Sequence, residues 1–320
     1  MKRREAIKSL MAGGAAVTAG HGLSLAGEPT AAEDPTRKRT VRFAHLTDVH
    51  VYDQRNAAQG LATAIRHVHE QDDRPDFILS GGDAVYDALE LPRAAVESQW
   101  ALWKSVWKEH GSLPVRHCLG NHDVWGWNQA KSGTTGDEAG WGKQLALDQL
   151  ELAQPYYTFD SGGWRFFVLD SMTFDEQTVY RAELDPAQMS WLASELNSTP
   201  SATPVVIVSH IPILTVGAIG FAPELRKQPH ASKMLSHVDG YELLNLLETH
   251  PNVKLCLSGH THLTETLSFG PIDFVNSGAV SGLWWKGHFR HTSEGYNLVD
   301  LFDDGTYTTR YVSYGWSVTG

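Results

Sequence analysis

Cysteine is scarce in this sequence, and negative charge outweighs positive charge. The 320 residues include two cysteines, Cys118 and Cys256, which do not form a C-x-x-C pair. Their number and spacing exclude a disulfide scaffold and a cysteine-rich zinc or redox site. Lys and Arg number 26 against 37 Asp and Glu, which gives a formal net charge of −11. Because there is no basic excess to neutralise phosphates, we expect no nucleic-acid polymer as a partner.

The sequence also lacks a long apolar run, so we expect no stable insertion into a membrane. Residues 1–27 begin with basic residues that include Arg3 and Arg4, continue with a weakly apolar stretch rich in Ala and Gly, and end in small residues. This order is typical of an export signal and resembles the twin-arginine type. It predicts an exported protein, periplasmic or extracellular. Residues 28–40 are then a linker, and residues 41–320 form a single domain.

Sequence signatures of several hydrolase classes are missing as well. There is no G-x-S-x-G motif, no G-x-x-x-x-G-K-[ST] phosphate-binding loop and no H-E-x-x-H helix, so these enzyme classes gain no support. The chain does contain 16 histidines. Their placement is the most informative feature of the sequence.

Five short apolar runs are typical of buried strands, and each stops abruptly at polar residues. Because the carboxyl ends of parallel strands meet at one edge of an α/β sheet, these polar residues can converge on one site. The runs are 41–47, 77–80, 115–119, 205–209 and 253–258, and they are followed in turn by Asp48-Val49-His50, Gly82-Asp83, Gly120-Asn121-His122-Asp123, His210 and Gly259-His260-Thr261-His262.

Amphipathic stretches between these runs predict helices, and the pattern as a whole is mixed α/β. Trp100, Trp103 and Trp107 form an i, i+3, i+7 stripe on one such helix. We interpret the stripe as core, because no basic residues flank it to support stacking of nucleic-acid bases. Glycine-containing turns at 161–163 and 303–305 separate strand-like runs and predict two hairpins. Antiparallel strands therefore join the parallel ones.

Seven side chains in the polar groups are oxygen or imidazole donors, and none is a thiolate. This donor set suits Mn, Fe or Zn rather than Ca or Cu(I). Seven ligands are too many for one ion, whereas two ions bridged by a carboxylate, for which Asp83 is the natural choice, keep positions open for water and substrate. His260 and His262 lie two residues apart in one motif, and the simplest arrangement gives one imidazole to each ion. The seven residues are Asp48, His50, Asp83, Asn121, His210, His260 and His262.

The motifs D-x-H, G-D, G-N-H-D, H and G-H-x-H occur in that order between Asp48 and His262, within a match that runs from about Val41 to the C-terminal strands near Tyr314. In this the chain resembles the calcineurin-like metallophosphoesterases. The resemblance implies an α/β fold in which two mixed β-sheets form a four-layer αββα sandwich. It also implies hydrolysis of phosphomonoesters or phosphodiesters with two divalent or mixed-valence ions of Fe, Mn or Zn. One ion is then held by Asp48, His50, Asp83 and His262, and the other by Asp83, Asn121, His210 and His260.

The charges of such a site predict its reaction. Two divalent ions outweigh two carboxylates, so the site attracts a phosphate although the protein is acidic. A water that bridges the ions loses a proton near neutral pH, and the resulting hydroxide can attack phosphorus in line. His122 follows Asn121 directly and is our candidate to assist the leaving group, a role that the resemblance assigns to the matching histidine.

One position departs from the family pattern. Many members carry Asp three residues after the bridging Asp, where it orients the catalytic histidine, but this chain has Tyr86 there and Asp87 next. Asp87 and Asp123 are both candidates to orient His122. The G-D-x-x-Y pattern also resembles purple acid phosphatases, whose tyrosine binds iron, but those enzymes have D-x-G where this chain has His50. We therefore interpret Tyr86 as a neighbour of the site rather than as a ligand.

The motifs specify the metal ligands but not the substrate. Trp125, Trp127, Trp284 and Trp285 follow two of the motifs, and they either line the rim of the pocket or pack in the core. An aromatic rim suits a nucleotide-like or aryl phosphodiester, and the spacing resembles the bacterial cyclic-nucleotide-phosphodiesterase-like branch. We therefore predict a phosphodiesterase that acts on a small phosphoester. The alternatives are an acid-phosphatase-like phosphomonoesterase on the same site and a non-catalytic metal-binding scaffold.

Overall fold

The computed structural model describes residues 37–220 and 232–318. The predicted export signal, and the predicted linker up to residue 36, lie outside the described residues. Strand β1 (Arg39–Leu46) begins two residues before the predicted run, because Arg39 already pairs with Phe302. The last two residues of the predicted linker, Arg39 and Thr40, therefore belong to a sheet.

Two mixed β-sheets dominate the described part of the chain. The first sheet contains β1 together with β2 (Phe77–Ser80), β3 (Val115–His117), β12 (Gly295–Phe302) and β13 (Tyr307–Ser313). In it β1 is parallel to β2, β2 is parallel to β3, and β12 and β13 add antiparallel strands beside β1.

The second sheet contains β4 (Tyr157–Ser161), β5 (Trp164–Val168), β8 (Val205–Val208), β9 (Val253–Ser258), β10 (Thr264–Phe269) and β11 (Ile272–Ser277). In it β5, β8, β9 and β11 are parallel, and β4 and β10 are antiparallel edge strands.

A separate hairpin and several helices complete the described fold. The hairpin pairs β6 (Met172–Asp175) with β7 (Val179–Ala182). Asp185 caps the helix that Pro186 begins, and its side chain accepts a hydrogen bond from the backbone of Gln188. The helices are α1 (Ala57–His69), α2 (Arg93–His110), α3 (Gln129–Ser132), α4 (Gln144–Leu150), α5 (Pro186–Ser198), α6 (Gly217–Gly220), α7 (Ser232–Leu235) and α8 (Gly240–Glu248), with a 3₁₀ turn at Asn121–Asp123.

Three apolar cores show that the layers stack in the order helix, sheet, sheet, helix. The central core joins the two sheets, where Phe43 and Phe77 of the first meet Phe166 of the second. Alternate residues of the strands point outward and are covered by helices, because successive side chains of a strand face opposite sides. Ile78 thus packs under α1 and α2, and Ile207 packs under α5 and α8. The predicted four-layer αββα sandwich is confirmed.

The tryptophan stripe on α2 is buried as predicted. Trp100 and Trp103 are 0% and 3% exposed, and Trp107 packs against the same core. The two predicted hairpins are also present, as β4–β5 and β12–β13. Among the helices of the described ranges, none is both long and apolar enough to cross a membrane.

Parallel pairing brings the predicted polar groups to one edge of the sandwich. Pairing continues past the strand ends, since Val51 bridges Val85 and the Gly259 N–H donates to the His210 carbonyl. All five polar groups therefore lie where the carboxyl ends of β1, β2, β3, β8 and β9 meet, as the sequence predicts.

Candidate metal centre

Three of the predicted ligands form a tight group at the end of β1. The Nε2 atoms of His50 and His262 are 3.1 Å apart, and the Nε2 atom of His262 is 3.3 Å from Oδ1 of Asp48. The Nε2 atom of His50 is also 3.6 Å from Oδ2 of Asp83. The side chains of Asp48 and His50 are fully buried. These four residues are the ones that the family resemblance assigns to one ion.

A second group shares Asp83 with the first. Asp83, His210 and His260 each bring a ligand atom within 4.8 Å of the others, and Asp83 Oδ2 is 3.2 Å from Nε2 of His210. Asn121 is buried in the turn that follows β3, and its Oδ1 atom has no hydrogen-bond partner. Asp83 thus lies between the two groups, in the position of the predicted bridge.

Backbone carbonyl groups orient three of the imidazoles. The Nδ1 atoms of His210 and His262 lie 2.8 Å from the Gly81 carbonyl and 2.5 Å from the Gly282 carbonyl, respectively. The Nε2 atom of His260 lies 2.8 Å from the carbonyl of Met234. Each ring therefore donates from one nitrogen and presents the other to the centre, as in the outer shell of known metal sites.

The charged side chains of the centre partly compensate one another. Burial favours the neutral form of Asp83, but the positive charge of His210 and that of His122 outweigh it and hold the pKa of Asp83 well below its usual range. Burial opposes protonation of His210, yet the charge of Asp83 raises its pKa to about 9. Burial and the charge of His210 lower the pKa of His260 to about 4. Asp83 as a carboxylate and His260 as a neutral imidazole are in the states that bind metals, whereas His210 has to release a proton when an ion binds.

The backbone at the ligands is strained. Five of the seven ligands have positive φ: Asp48 (56°), His50 (49°), Asp83 (54°), His260 (69°) and His262 (59°). Left-handed backbone costs a residue other than Gly roughly 1–2 kcal/mol. Strain of this kind accumulates at functional sites, where the surrounding structure holds it in place.

Asp123 holds the two loops that carry Asp83 and Asn121. Its Oδ2 atom accepts hydrogen bonds from the backbone N–H groups of Asp83 (2.9 Å) and Gly120 (2.8 Å), and its Oδ1 atom accepts one from Ala84 (2.8 Å). Burial and the charge of Asp83 nevertheless raise the pKa of Asp123 to about 7. Because both oxygens of Asp123 accept hydrogen bonds from backbone N–H groups, Asp123 does not orient His122.

His122 lies at the side of the centre and remains partly exposed. A ring nitrogen of His122 falls within 4.8 Å of ligand atoms of His50 and Asp83, and 26% of the side chain is exposed. Its Nδ1 atom is 3.8 Å from Oδ1 of Asp87. Gln99 of α2 holds Asp87 in turn, since its Oε1 atom accepts the Asp87 N–H at 3.0 Å. Of the two carboxylates considered from the sequence, Asp87 is therefore the one beside His122.

The aromatic residues near the motifs divide into core and rim. Trp125, Trp127 and Trp285 are 3%, 7% and 1% exposed, so these three are packing residues. Trp284 is half-buried, and its ring lies 4.4 Å from the ring of His262. Tyr86 stacks on Tyr52 with ring centroids 4.3 Å apart, in agreement with its interpretation as a neighbour of the site.

The residues present fit a pair of transition-metal ions. Two imidazole nitrogens face each other at 3.1 Å in His50 and His262, and the buried Oδ1 of Asn121 has no partner in the described chain. Such donors are costly to bury unless a cation binds them. The set of carboxylates, imidazoles and one amide, without thiolates, is that of Mn, Fe or Zn sites.

Comparison with known proteins agrees with this geometry. A family model described as calcineurin-like phosphoesterase matches residues 41–263. A 3′,5′-cyclic-nucleotide phosphodiesterase of Nostoc sp. is 24% identical over 287 residues, which cover 85% of this chain and 92% of that protein. A probable cyclic nucleotide phosphodiesterase of Synechococcus sp. is 25% identical over 232 residues, or 70% of this chain and 74% of that protein.

Solved structures share the fold. A dimetal phosphatase from Danio rerio superimposes with a TM-score of 0.59 at 15% identity, over 86% of this chain and 100% of that one. GAP50, the anchor in the inner membrane complex of Plasmodium, does so with a TM-score of 0.56 at 19% identity, over 87% and 86% of the two chains. The family model covers more than half of the sequence, and it includes all seven ligands and His122. The chain belongs to the calcineurin-like phosphoesterase family and is a metal-dependent phosphoester hydrolase.

Proposed function

We propose that this protein is a phosphodiesterase that acts on small phosphodiesters, with 3′,5′-cyclic nucleotides as the substrate class. The observation that carries the proposal is the partly exposed His122 beside Asp87, at the edge of a two-ion ligand set. A proton donor in this position serves a reaction in which an alkoxide leaves. The two cyanobacterial relatives, which match along most of their length, support the cyclic-nucleotide class.

Each residue has a distinct part in this reaction. Two bound ions would supply Lewis acidity, which makes a water nucleophilic and neutralises charge on the phosphoryl oxygens. Asp48, His50, Asp83 and His262 would hold one ion, and Asp83, Asn121, His210 and His260 the other. His122 donates a proton to the leaving oxygen. Asp87 lies 3.8 Å from Nδ1 of His122, and it would orient the ring once the two groups move to hydrogen-bond distance in the substrate complex.

A substrate panel tests the proposal. Metal-free protein is reconstituted with Mn, Fe or Zn, its metal content is measured, and bis(p-nitrophenyl) phosphate, p-nitrophenyl phosphate and 3′,5′-cyclic AMP are compared. We expect kcat/KM to be higher for the two diesters than for the monoester. A preference for the monoester would identify a phosphomonoesterase instead. No turnover of any of the three with both ions bound would identify a binding scaffold.

A neighbouring cleft offers a place for the part of the substrate that does not react. The cleft has a volume of about 400 Å³, and its lining includes the stacked rings of Tyr52 and Tyr86, the cations of Arg55 and Lys286 and the carboxylate of Asp53. Tyr52 lies two residues after His50. Aromatic walls with two cations against one carboxylate suit a nucleoside that carries a phosphate.

Substitutions in the cleft separate this role from the chemistry. We expect Tyr86→Leu and Lys286→Ala to raise KM for 3′,5′-cyclic AMP several-fold and to leave kcat/KM for bis(p-nitrophenyl) phosphate unchanged. Lys254→Ala is the control, because Lys254 lies outside the cleft, near the beginning of β9. If both substrates are affected equally, the cleft does not select the nucleoside.

We further propose that the protein is exported. The order of the basic, weakly apolar and small residues in 1–27, with Arg3 and Arg4 together, supports a twin-arginine signal. Replacement of both arginines by lysine tests this in a bacterial host. We expect the variant to remain in the cytoplasm and the unchanged chain to reach the periplasm as a shorter mature form. Equal export of the two would contradict the proposal.

A further inference from the structure

His210 and His260 are the two imidazoles predicted for the second ion alone. Both are connected to one short segment outside the motifs, His260 directly and His210 through Ser209. This segment comprises residues 232–239, and we name it the 232–239 clasp. At its beginning, the carbonyl of Met234 lies 2.8 Å from Nε2 of His260. Three residues later, Nε2 of His237 lies 3.2 Å from Oγ of Ser209, the residue directly before His210. One segment therefore reaches both ligands.

His237 fixes the clasp to the body of the domain. Its side chain is completely buried, and its Nδ1 atom lies 2.8 Å from Oδ1 of Asp239. The other oxygen of Asp239 accepts the N–H of Leu184 at 2.9 Å. The backbone N–H of His237 donates to the carbonyl of Pro212, two residues after His210. The ring thus links Ser209 to Asp239, and its backbone joins the clasp to the loop that carries His210.

The Ser209, His237 and Asp239 side chains resemble a catalytic triad in their order of contacts, but they cannot act as one. Ser209 is 2% exposed, and its hydroxyl donates to the carbonyl of Ile211 at 2.7 Å. A nucleophile in this position has no access to a substrate. The cluster is therefore a buried connection between the clasp and the segment after β8 that carries His210.

The first ion is held differently. His262 is oriented by the carbonyl of Gly282, in the loop after β11. His50 is covered by Trp284, whose ring lies 5.4 Å away. Outer-shell partners of this kind commonly change metal affinity by about 10- to 100-fold when they are removed. Loss of the clasp should therefore act on one ion only.

We infer that His237 is a positioning residue for the second metal ion: through Ser209 and Met234 it aligns His210 and His260, and it has no part in holding the first ion. The inference rests on the two-ion centre of the proposed function, and it is independent of the substrate. It also assigns a role to a histidine that carries no motif.

Metal binding tests the inference without use of activity. Metal-free protein is titrated calorimetrically with Mn²⁺, and the metal content is measured after gel filtration. We expect the unchanged protein to bind two ions. His237→Ala should keep the first affinity and bind the second ion about 10- to 100-fold more weakly. His237→Gln should recover most of this loss, because its amide can reach Ser209.

Two controls separate positioning from a general loss of structure. His250→Ala removes a histidine whose ring contacts the Leu246 carbonyl, and it should leave both affinities unchanged. The thermal unfolding of the metal-free variants shows whether each one folds. In a His260→Ala background, which removes one of the two imidazoles that the clasp positions, His237→Ala should have a smaller further effect, whereas in a His262→Ala background its effect should persist in full.

Three results would overturn the inference. The first is two unchanged affinities in folded His237→Ala. The second is an equal loss of affinity for both ions in His237→Ala, provided that the metal-free variant and the metal-free unchanged protein unfold at the same temperature. The third is binding of fewer than two ions by the unchanged protein, which would refute the two-ion centre itself, whatever the substrate panel shows.

Discussion

The carboxylate beside His122 belongs to Asp87, one position later in the chain than in the family pattern. The family position for the orienting carboxylate is occupied by Tyr86, whose ring stacks on Tyr52. The carboxylate comes from the next residue, and Gln99 holds its backbone in place. The polypeptide between Asp83 and Asp87 therefore accommodates a tyrosine without separating Asp87 from His122.

The dependence of the rate on the leaving group distinguishes the role of His122 from that of the predicted metal ligands. His122→Asn should keep both ions and lose about 10²- to 10⁴-fold in rate with an alkoxide leaving group, because the proton donor is removed. The loss should be much smaller for bis(p-nitrophenyl) phosphate, since p-nitrophenolate needs little protonation. Asp87→Ala should show the same dependence with a smaller amplitude. Rates and metal content are measured together.

Asp83→Asn is the comparison for this experiment. The amide is a poor bridge between two cations, so we expect this variant to lose metal and turnover with every substrate. Loss of metal in His122→Asn, or an equal effect on both leaving groups, would contradict the assignment of His122 as proton donor.

At the scale of elements, close approach of backbone segments sets the positions of the ligands. Gly259 follows β9 and lies against the end of β1. A Cβ atom on Gly259 would be 2.1 Å from Oγ1 of Thr47 and 2.3 Å from Oδ2 of Asp48. Asp48 also accepts the N–H of His260. The segments after β1 and β9 can therefore approach this closely only because residue 259 is a glycine.

Gly259→Ala should consequently weaken metal binding severely and lower the melting temperature, because β1 and β9 must separate at their carboxyl ends. Gly163→Ala in the β4–β5 turn is the matched control. Its φ is 82°, but a Cβ there meets nothing within 4 Å, so it should reduce stability by about 1 kcal/mol without any change in metal affinity. Calorimetry of both variants checks the expectation. Normal metal binding by Gly259→Ala would show that the segments can move apart.

The sequence predicts well the strands and the polar groups that meet at their ends, because both are local patterns. Each of the runs before Asp48, Asp83, Asn121, His210 and His260 is short, apolar and followed at once by polar residues. Parallel pairing then brings the groups together with few alternatives. The β6–β7 hairpin was not predicted, since its two strands have little apolar alternation.

The outer contacts of the centre could not be predicted. The groups that orient His210, His260 and His262 are backbone carbonyls of Gly81, Met234 and Gly282, and a carbonyl carries no signature of residue type. The choice between Asp87 and Asp123 was open for a related reason. Both are acidic residues near a turn, and they are distinguished by the backbone N–H groups that surround Asp123.

On the scale of the whole molecule, an acidic protein with a net charge of −11 surrounds a centre built for cations. Asp48 and Asp83 are almost completely buried between the sheet ends. Burial alone would favour their neutral forms, yet nearby positive charge keeps the pKa of each below its usual range. The ends of five strands from both sheets therefore meet around a group of charges that bound ions can neutralise.

Metal binding should for this reason stabilise the entire domain and not only the site. Ions that bind the folded chain at about 100 times their Kd contribute about 2.7 kcal/mol, which raises the melting temperature by about 5 °C or more. Removal of metal by a chelator should lower the melting temperature by that amount, and Mn²⁺ should restore it. The melting temperature of Asp83→Asn should not respond to either treatment, because the bridge between the two groups is lost. If the wild-type protein melts at one temperature with and without metal, then the strand ends do not depend on the ions, and the strain at the five left-handed ligands is balanced by protein contacts alone.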